Sequence, residues 1–293
     1  MKYGKYSLGH IEALLNKLGG EEVVDGILEG TKQADIRDVI RFLFDRTGRC
    51  IPYDLTSSVT DANRSFKLVQ PEVNLADRLH RLVSLLPQGT AFCSVEEFEQ
   101  EIAALRALIE ANPRFKNCFN GVWLPLVLPQ TEAGDYGTLL ESRFLTAVKS
   151  SYLMKFPKRS FKNYHKGELA GQVSIVHQSH ERLMAKMQER PVIGILLANP
   201  LQGFSIPACR EYADSLPEIL HLSGGYDFLT AIAAYPDVLG RDHYTPGNDM
   251  AAVQCQSVDY SLRCRVFDDG QLGFASWDHY AYDNYSGGLF FAR

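Results

Sequence analysis

From residue 113 onward, short apolar runs alternate with stretches of helical period. "GVWLPLVLP" precedes a stripe of Leu140, Phe144, Val148 and Tyr152; "VSIV" precedes "SHERLMAKMQER", "VIGILLA" precedes "IPACREYADSL", and "EILHL" precedes "YDFLTAIAAY". Strand-length runs followed by helices predict a parallel-type sheet with helices on its faces. Before residue 113 the period is mostly helical. Ser7 caps a helix with Ile11, Leu14, Leu15 and Leu18 on one face, Gly19 and Gly20 stop it, and Val23, Val24, Ile27 and Leu28 start a second. Leu79, Leu82, Val83 and Leu86 mark another helix, and a capping box at Ser94 to Glu97 opens a helix carrying Phe98, Ile102, Leu105 and Ile109.

Two regions are less regular. Around "DVIRFLFDRTGRCIPYDL" (38–55), Ile36, Ile40 and Leu43 have helical spacing, yet the β-forming residues and the turn signal "DRTGR" favour a hairpin over 39–55. In the tail, "AAVQCQ", "YSLRCRVFD", "QLGFASW" and "GGLFFAR" read as strands, with "DDG" at 268–270 as a hairpin turn. The expected fold is therefore α/β. A mainly helical region, 1–112, leads into a parallel-type α/β domain, 113–293, whose β-rich tail, 250–293, adds antiparallel edge strands.

Composition narrows the function classes only a little. An apolar share of 45% with 22% charged residues is an ordinary globular mixture, and a net charge of -5 argues against duplex nucleic acid as a general partner. One run, "KFPKRSFKNYHK" at 155–166, interleaves basic and aromatic residues; a charge run of this kind is more often a solvated connection. "GGEEVVDG" places acidic residues where a DNA-reading helix needs basic or amide ones. The amino terminus lacks a signal-peptide pattern and no apolar run is long enough to cross a bilayer, so the expected location is the cytoplasm. Six dispersed cysteines read as reduced thiols, with Cys255 and Cys264 as residues that two late strands would bring face to face.

In a parallel sheet, ligands gather at strand carboxyl ends beside helix N-termini. That rule selects "PQTEAGDYG" after 128, "HQSH" at 177–180, "NPLQGFS" at 199–205 and "SGGYD" at 223–227, all expected on one edge. Ser223, Gly224, Gly225 and Asp227 resemble the PP-loop of ATP pyrophosphatases, whose Ser-Gly-Gly-x-Asp signature lies between a buried strand and a helix. The resemblance implies a phosphate cradle formed by Gly224 and Gly225, with Asp227 positioning a cation and ATP with magnesium as cofactors. Phe228 departs from it, because the family has Ser or Thr there. The competing reading is a tight strand-to-helix turn capped by Asp227 or Ser223.

Other candidates are thinner. His177 and His180 have a spacing compatible with metal or with acid–base work, Ser179 reads as the N-cap of the next helix, and Asp242, His243 and Asp249 in "RDHYTPGND" are candidates for orienting a base or holding a cation. A Ser-His-Asp set from Ser223, His177 and Asp242 has no elbow pattern behind it. "LLNKLGG", "KNYHKGELAGQVSIV", "NPLQGFS" and "LSGGYDFLTAIAAYPDVLGRD" are similar to stretches of bacterial open reading frames without assigned function, which implies bacterial origin and brings no activity.

The favoured functional reading is a soluble binding or interaction protein, with a ligand site at the strand ends and a protein partner docking on residues 7–30. The alternative is an enzyme acting on a nucleotide or another phosphorylated small molecule through "SGGYD", with His177 or His180 as acid or base.

Overall fold

The computed structural model describes residues 5–35, 39–278 and 280–293. Its chain falls into two compact units, 1–41 and 42–293. In the first, α1 (Leu8–Lys17) begins where the Ser7 side chain accepts the His10 N–H, and α2 (Glu21–Leu28) follows a reversal at Gly19 and Gly20, whose φ values are +109° and +84°. Only glycine takes such angles without strain. Ile36, the first residue of the competing helical spacing, lies outside the described residues.

In the second unit, the turn signal at 45–49 closes a single antiparallel bridge between Phe44 and Cys50. The elements that follow are α3 (Leu75–Leu85), α4 (Val95–Ala111), β1 (Trp123–Leu128), α5 (Tyr136–Leu139), a π turn (Leu140–Leu145), α6 (Thr146–Lys155), β2 (Phe161–Asn163) and β3 (Val173–Ile175). Then come α7 (Gln178–Glu189), β4 (Val192–Gln202), α8 (Ile206–Asp214), β5 (Leu220–Leu222), α9 (Gly225–Ala234), α10 (Pro236–Leu239), β6 (Gly247–Met250), β7 (Val253–Cys255), β8 (Ser261–Val266), β9 (Leu272–Trp277) and β10 (Tyr285–Phe291). The capping box at α4 forms as expected, with Ser94 Oγ accepting the Glu97 N–H and Glu97 accepting the Ser94 N–H.

The fold is α/β, with helices early and the sheet later, but the sheet is mixed. Its order is β1-β4-β10-β6-β8-β9-β2, and β5 also pairs with β10. β1 with β4, β4 with β10, β5 with β10, β6 with β8 and β8 with β9 are antiparallel; β10 with β6 and β2 with β9 are parallel. The parallel-type expectation is thus corrected. Strands such as β4 are apolar because both of their faces are covered, and double coverage is compatible with either direction.

The tail is corrected as well: β10 lies at the centre of the sheet, flanked by β4 on one side and by β5 and β6 in succession on the other. All seven of its residues are buried, so both of its faces are covered. β3 leaves the main sheet and pairs with β7.

Two apolar layers enclose the sheet. On one face Leu124, Leu126, Leu196 and Phe290 pack with Leu82, Phe144, Val148, Leu183 and all of the apolar side chains of α9. On the other, Val127, Ile195, Leu197 and Phe291 pack with Phe98, Ile102 and Leu105 of α4 and with Cys209 and Tyr212 of α8. α3 and α4 therefore belong with the sheet, and the compact boundary falls at Arg41 rather than at residue 112. Among the described residues, no helix is long and apolar enough to cross a membrane.

Candidate functional site

Residues 223–227 sit in mid-sheet rather than at its rim. The Ser223 N–H donates to the Gly288 carbonyl and the Ser223 carbonyl accepts from Ala252, so the backbone continues the sheet before turning into α9. All ten residues of α9 are buried. A cradle for phosphate needs free N–H groups at the helix start, and here they are taken. The Gly224 N–H donates to Asp227 Oδ1 (2.8 Å), while Gly225 and Tyr226 donate to the Tyr136 hydroxyl (2.8 and 3.3 Å). That hydroxyl also lies 3.1 Å from His180 Nε2.

Side chains fill the remaining space. The Tyr136 ring stacks on Tyr226 at 4.1 Å between centroids, and Tyr226 stacks on Phe144 at 4.4 Å. A methyl group at position 224 would run into the His180 imidazole, and one at 225 would come within 2.5 Å of Leu140. The two glycines therefore serve close packing of a helix start against α5 and α7. Of the two readings open to the motif, the folded geometry is that of the strand-to-helix turn, with Asp227 capping it.

The candidate histidines belong to the same buried hub. His177, not Ser179, is the N-cap of α7: its Nδ1 accepts the Ser179 N–H, while the Ser179 hydroxyl is used by the Leu222 N–H (2.9 Å) and lies 2.7 Å from His177 Nδ1. His221, which sequence reasoning did not single out, donates from Nδ1 to the Ser179 carbonyl (2.7 Å). Burial pushes the His180 imidazole down to about 3 and the His221 imidazole down to about 4, and it pushes the Asp227 carboxyl up to about 7. Ser223 Oγ lies against that carboxyl without a well-formed hydrogen bond. His177 Nε2 faces Asp214 at 3.3 Å outside hydrogen-bonding geometry.

Asp242 and His243 lie in a separate turn, where Asp242 pairs with Arg241 (2.8 Å) and accepts the Tyr244 N–H, and His243 packs on Tyr244. Ser223, His177 and Asp242 consequently form no triad. Among the described residues no group of three or more His, Cys, Asp or Glu is placed to hold a metal, and all six cysteines are free thiols.

The four loops expected on one edge divide between two places. Antiparallel pairing of β1 with β4 sends their carboxyl ends in opposite directions. The loop after β1 contributes Tyr136 to the hub, whereas "NPLQGFS", at the end of β4, opens onto a surface cleft of about 830 Å³ lined by both Asn199 and Gln202.

That cleft is assembled from three loops. A strap over residues 61–70 is fastened by the Gln202 side-chain amide, which donates to the carbonyls of Asn63, Phe66 and Asp283, and by Gln70, which exchanges two hydrogen bonds with the Trp123 backbone. The turn at 45–49 is held by Arg49, donating to the carbonyls of Gln202 and Thr60. Gly48 lets this turn meet the third loop backbone to backbone at Gly121, an approach that any side chain would block.

The charges around the cleft are unevenly used. Arg46, Arg49, Arg64 and Lys67 line it together with Asp45 and Asp61. The Asp45 carboxylate is consumed by its own turn, accepting from the Thr47 N–H and hydroxyl and from the Arg49 N–H. Arg46, Arg64 and Lys67 make no side-chain hydrogen bond or ion pair among the described residues, and neither does the amide of Asn199. Sequence reasoning reached Asn199 through the strand-end rule but missed the cations, which come from loops with no motif of their own.

Comparison with protein-family models, with curated proteins and with solved structures finds no match for this chain.

Proposed function

We propose that this chain is a binding protein whose ligand is a multiply charged anionic small molecule, such as a phosphorylated metabolite or a nucleotide, held in the cleft at the end of β4. The observation that carries the reading is the set of unpartnered cations, Arg46, Arg64 and Lys67, around a cleft of about 830 Å³. A volume of roughly 300–1,000 Å³ is usual for small-molecule sites. Guanidinium forks suit paired oxygens of phosphate or carboxylate, the Asn199 amide adds a neutral donor and acceptor, and Phe66 and Phe119 on the walls offer ring faces to an apolar part of the ligand.

An enzymatic role through "SGGYD" draws no support from a loop whose N–H groups are already bonded. A protein partner on residues 7–30 is supported by the exposure of Leu8, Ile11, Leu14 and Leu28 on α1 and α2.

Thermal unfolding in the presence of pyrophosphate, ATP or citrate tests the proposal. A ligand at about one hundred times its dissociation constant stabilises by about 2.7 kcal/mol, and that gain should disappear in an Arg46→Glu, Arg64→Glu double variant. No stabilisation by any of the anions, or the same gain in the variant, contradicts the reading.

A further inference from the structure

At one end of the sheet β8, β9 and β2 have one covered face and one open face, while β6 beside them is buried throughout. Leu262, Cys264, Val266, Leu272 and Phe274 point into the core. The residues alternating with them, Arg263, Arg265, Ala275 and Trp277, point the other way and remain at least partly exposed. Cross-strand register sets Asp249, Arg263 and Ala275 in one row and Arg265, Gly273 and Lys162 in another. The basic, aromatic run at 155–166, remote in sequence, reaches this face because β2 pairs with β9.

Rings and cations alternate across the face. The Arg263 guanidinium lies 4.2 Å from the Trp277 ring centroid and 4.4 Å from that of Tyr285; Arg265 lies 4.9 Å from Phe267 and donates to the Tyr285 hydroxyl, and Lys162 Nζ lies 4.2 Å from Tyr164. Tyr285 and Phe267 rest directly on the strands, since a side chain at Gly247 or Gly273 would collide with them. Trp277 is 46% exposed and Tyr164 45%, so both keep ring surface available. Lys162, Arg263 and Arg265 form no ion pair among the described residues.

We propose that this open face binds single-stranded nucleic acid, with bases stacking on Trp277 and Tyr164 and phosphates meeting Arg265 and Lys162. Charge complementarity and ring geometry select this occupant. Flat aromatic surface accepts any base, unpaired guanidinium and ammonium groups accept the backbone, and a sheet face with rings and cations is a known physical solution for a strand whose bases are splayed out. A duplex hides its base faces and loses half of that match. The site is separate from the β4 cleft and does not rest on it.

Fluorescence anisotropy with labelled oligo(U) and oligo(dT) of about 12 nucleotides, at about 50 mM salt, tests the proposal. Saturable binding of either single strand is expected, weakening as salt rises. Trp277→Ala should weaken it by about fivefold to a hundredfold, consistent with the loss of one stacked base, and Arg265→Ser should weaken it and make it less dependent on salt, as the loss of one phosphate contact requires; Arg190→Glu, an exposed cation outside these strands, should change it by less than about twofold. Because a folding defect can mimic lost binding, a Trp123→Phe protein, in which Trp277 is the remaining tryptophan, should also show quenching on titration with unlabelled oligo(U). Absence of saturable binding up to about 100 µM, equal affinity for a duplex of the same length, or full affinity in Trp277→Ala overturns the proposal.

Discussion

The Tyr136 hydroxyl stands 2.8 Å from the Gly225 nitrogen and closes the start of α9. One phenol oxygen accepts two N–H groups and places its own hydrogen toward His180 Nε2, so a helix terminus that would otherwise seek an anion is satisfied from within. Tyr136→Phe keeps the ring stacking and removes the acceptor. Two buried donors are then left unpaired, and a loss of about 1–3 kcal/mol is expected in urea denaturation. Unchanged stability would mean that the hub does not depend on this oxygen.

Gly224 and His180 form a second testable pair. Gly224→Ala drives a methyl group into the imidazole and should destabilise by about 1–3 kcal/mol. Truncating the ring makes room, so in an His180→Ala background the same substitution should cost less, by at least about 0.5 kcal/mol. Strict additivity in the double-mutant cycle would show that the two positions do not press on each other.

Four buried groups give opposing pH dependences. Burial raises Asp227 and Asp249 to about 7, so between about 4 and 7 the fold holds protons that the unfolded chain has released, and stability falls as pH rises. Burial lowers His180 and His221 to about 3 and about 4, so up to the ordinary value of 6.5 the unfolded chain holds the extra protons, and stability rises with pH. The two trends offset each other over this range. Asp227→Asn keeps an acceptor for the Gly224 N–H and removes one falling contribution; its stability relative to the parent should therefore grow from about pH 4 to about pH 7. A difference that stays constant across these pH values contradicts the assignment.

Several signals that act over a few residues are legible in the sequence, although the N-cap of α7 is His177 and not Ser179 as expected. Ser94 and Glu97 cap α4, the stripe from Leu140 to Tyr152 is buried, and the "DDG" turn joins β8 to β9. Strand direction was not legible, because a run such as "VIGILLA" is apolar through coverage on both faces whichever way its neighbours run. β2 and β6 were missed for a related reason: "FKN" and "GNDM" have little strand character alone and are held by pairing with β9, β8 and β10.

The same distinction explains the sites. "SGGYD" looks like a phosphate loop because tight packing and anion binding both require glycines, and what separates them here is Tyr136, almost ninety residues upstream, as an occupant of the N–H groups. In the cleft, Gln202 fastens a strap 136 and 139 residues away in sequence, and nothing local announces that Arg64 and Lys67 will face Arg46.

Isothermal titration calorimetry of inorganic tripolyphosphate into the intact protein, at about 50 mM salt, tests the cleft most directly. Saturable single-site binding is expected, weakening at least about tenfold in Arg64→Glu, as the loss of a charge-assisted contact requires, and retained in Asp227→Asn. Binding that is abolished in Asp227→Asn while Arg64→Glu binds normally would return the anion site to the loop at 223–227 and rule out the cleft.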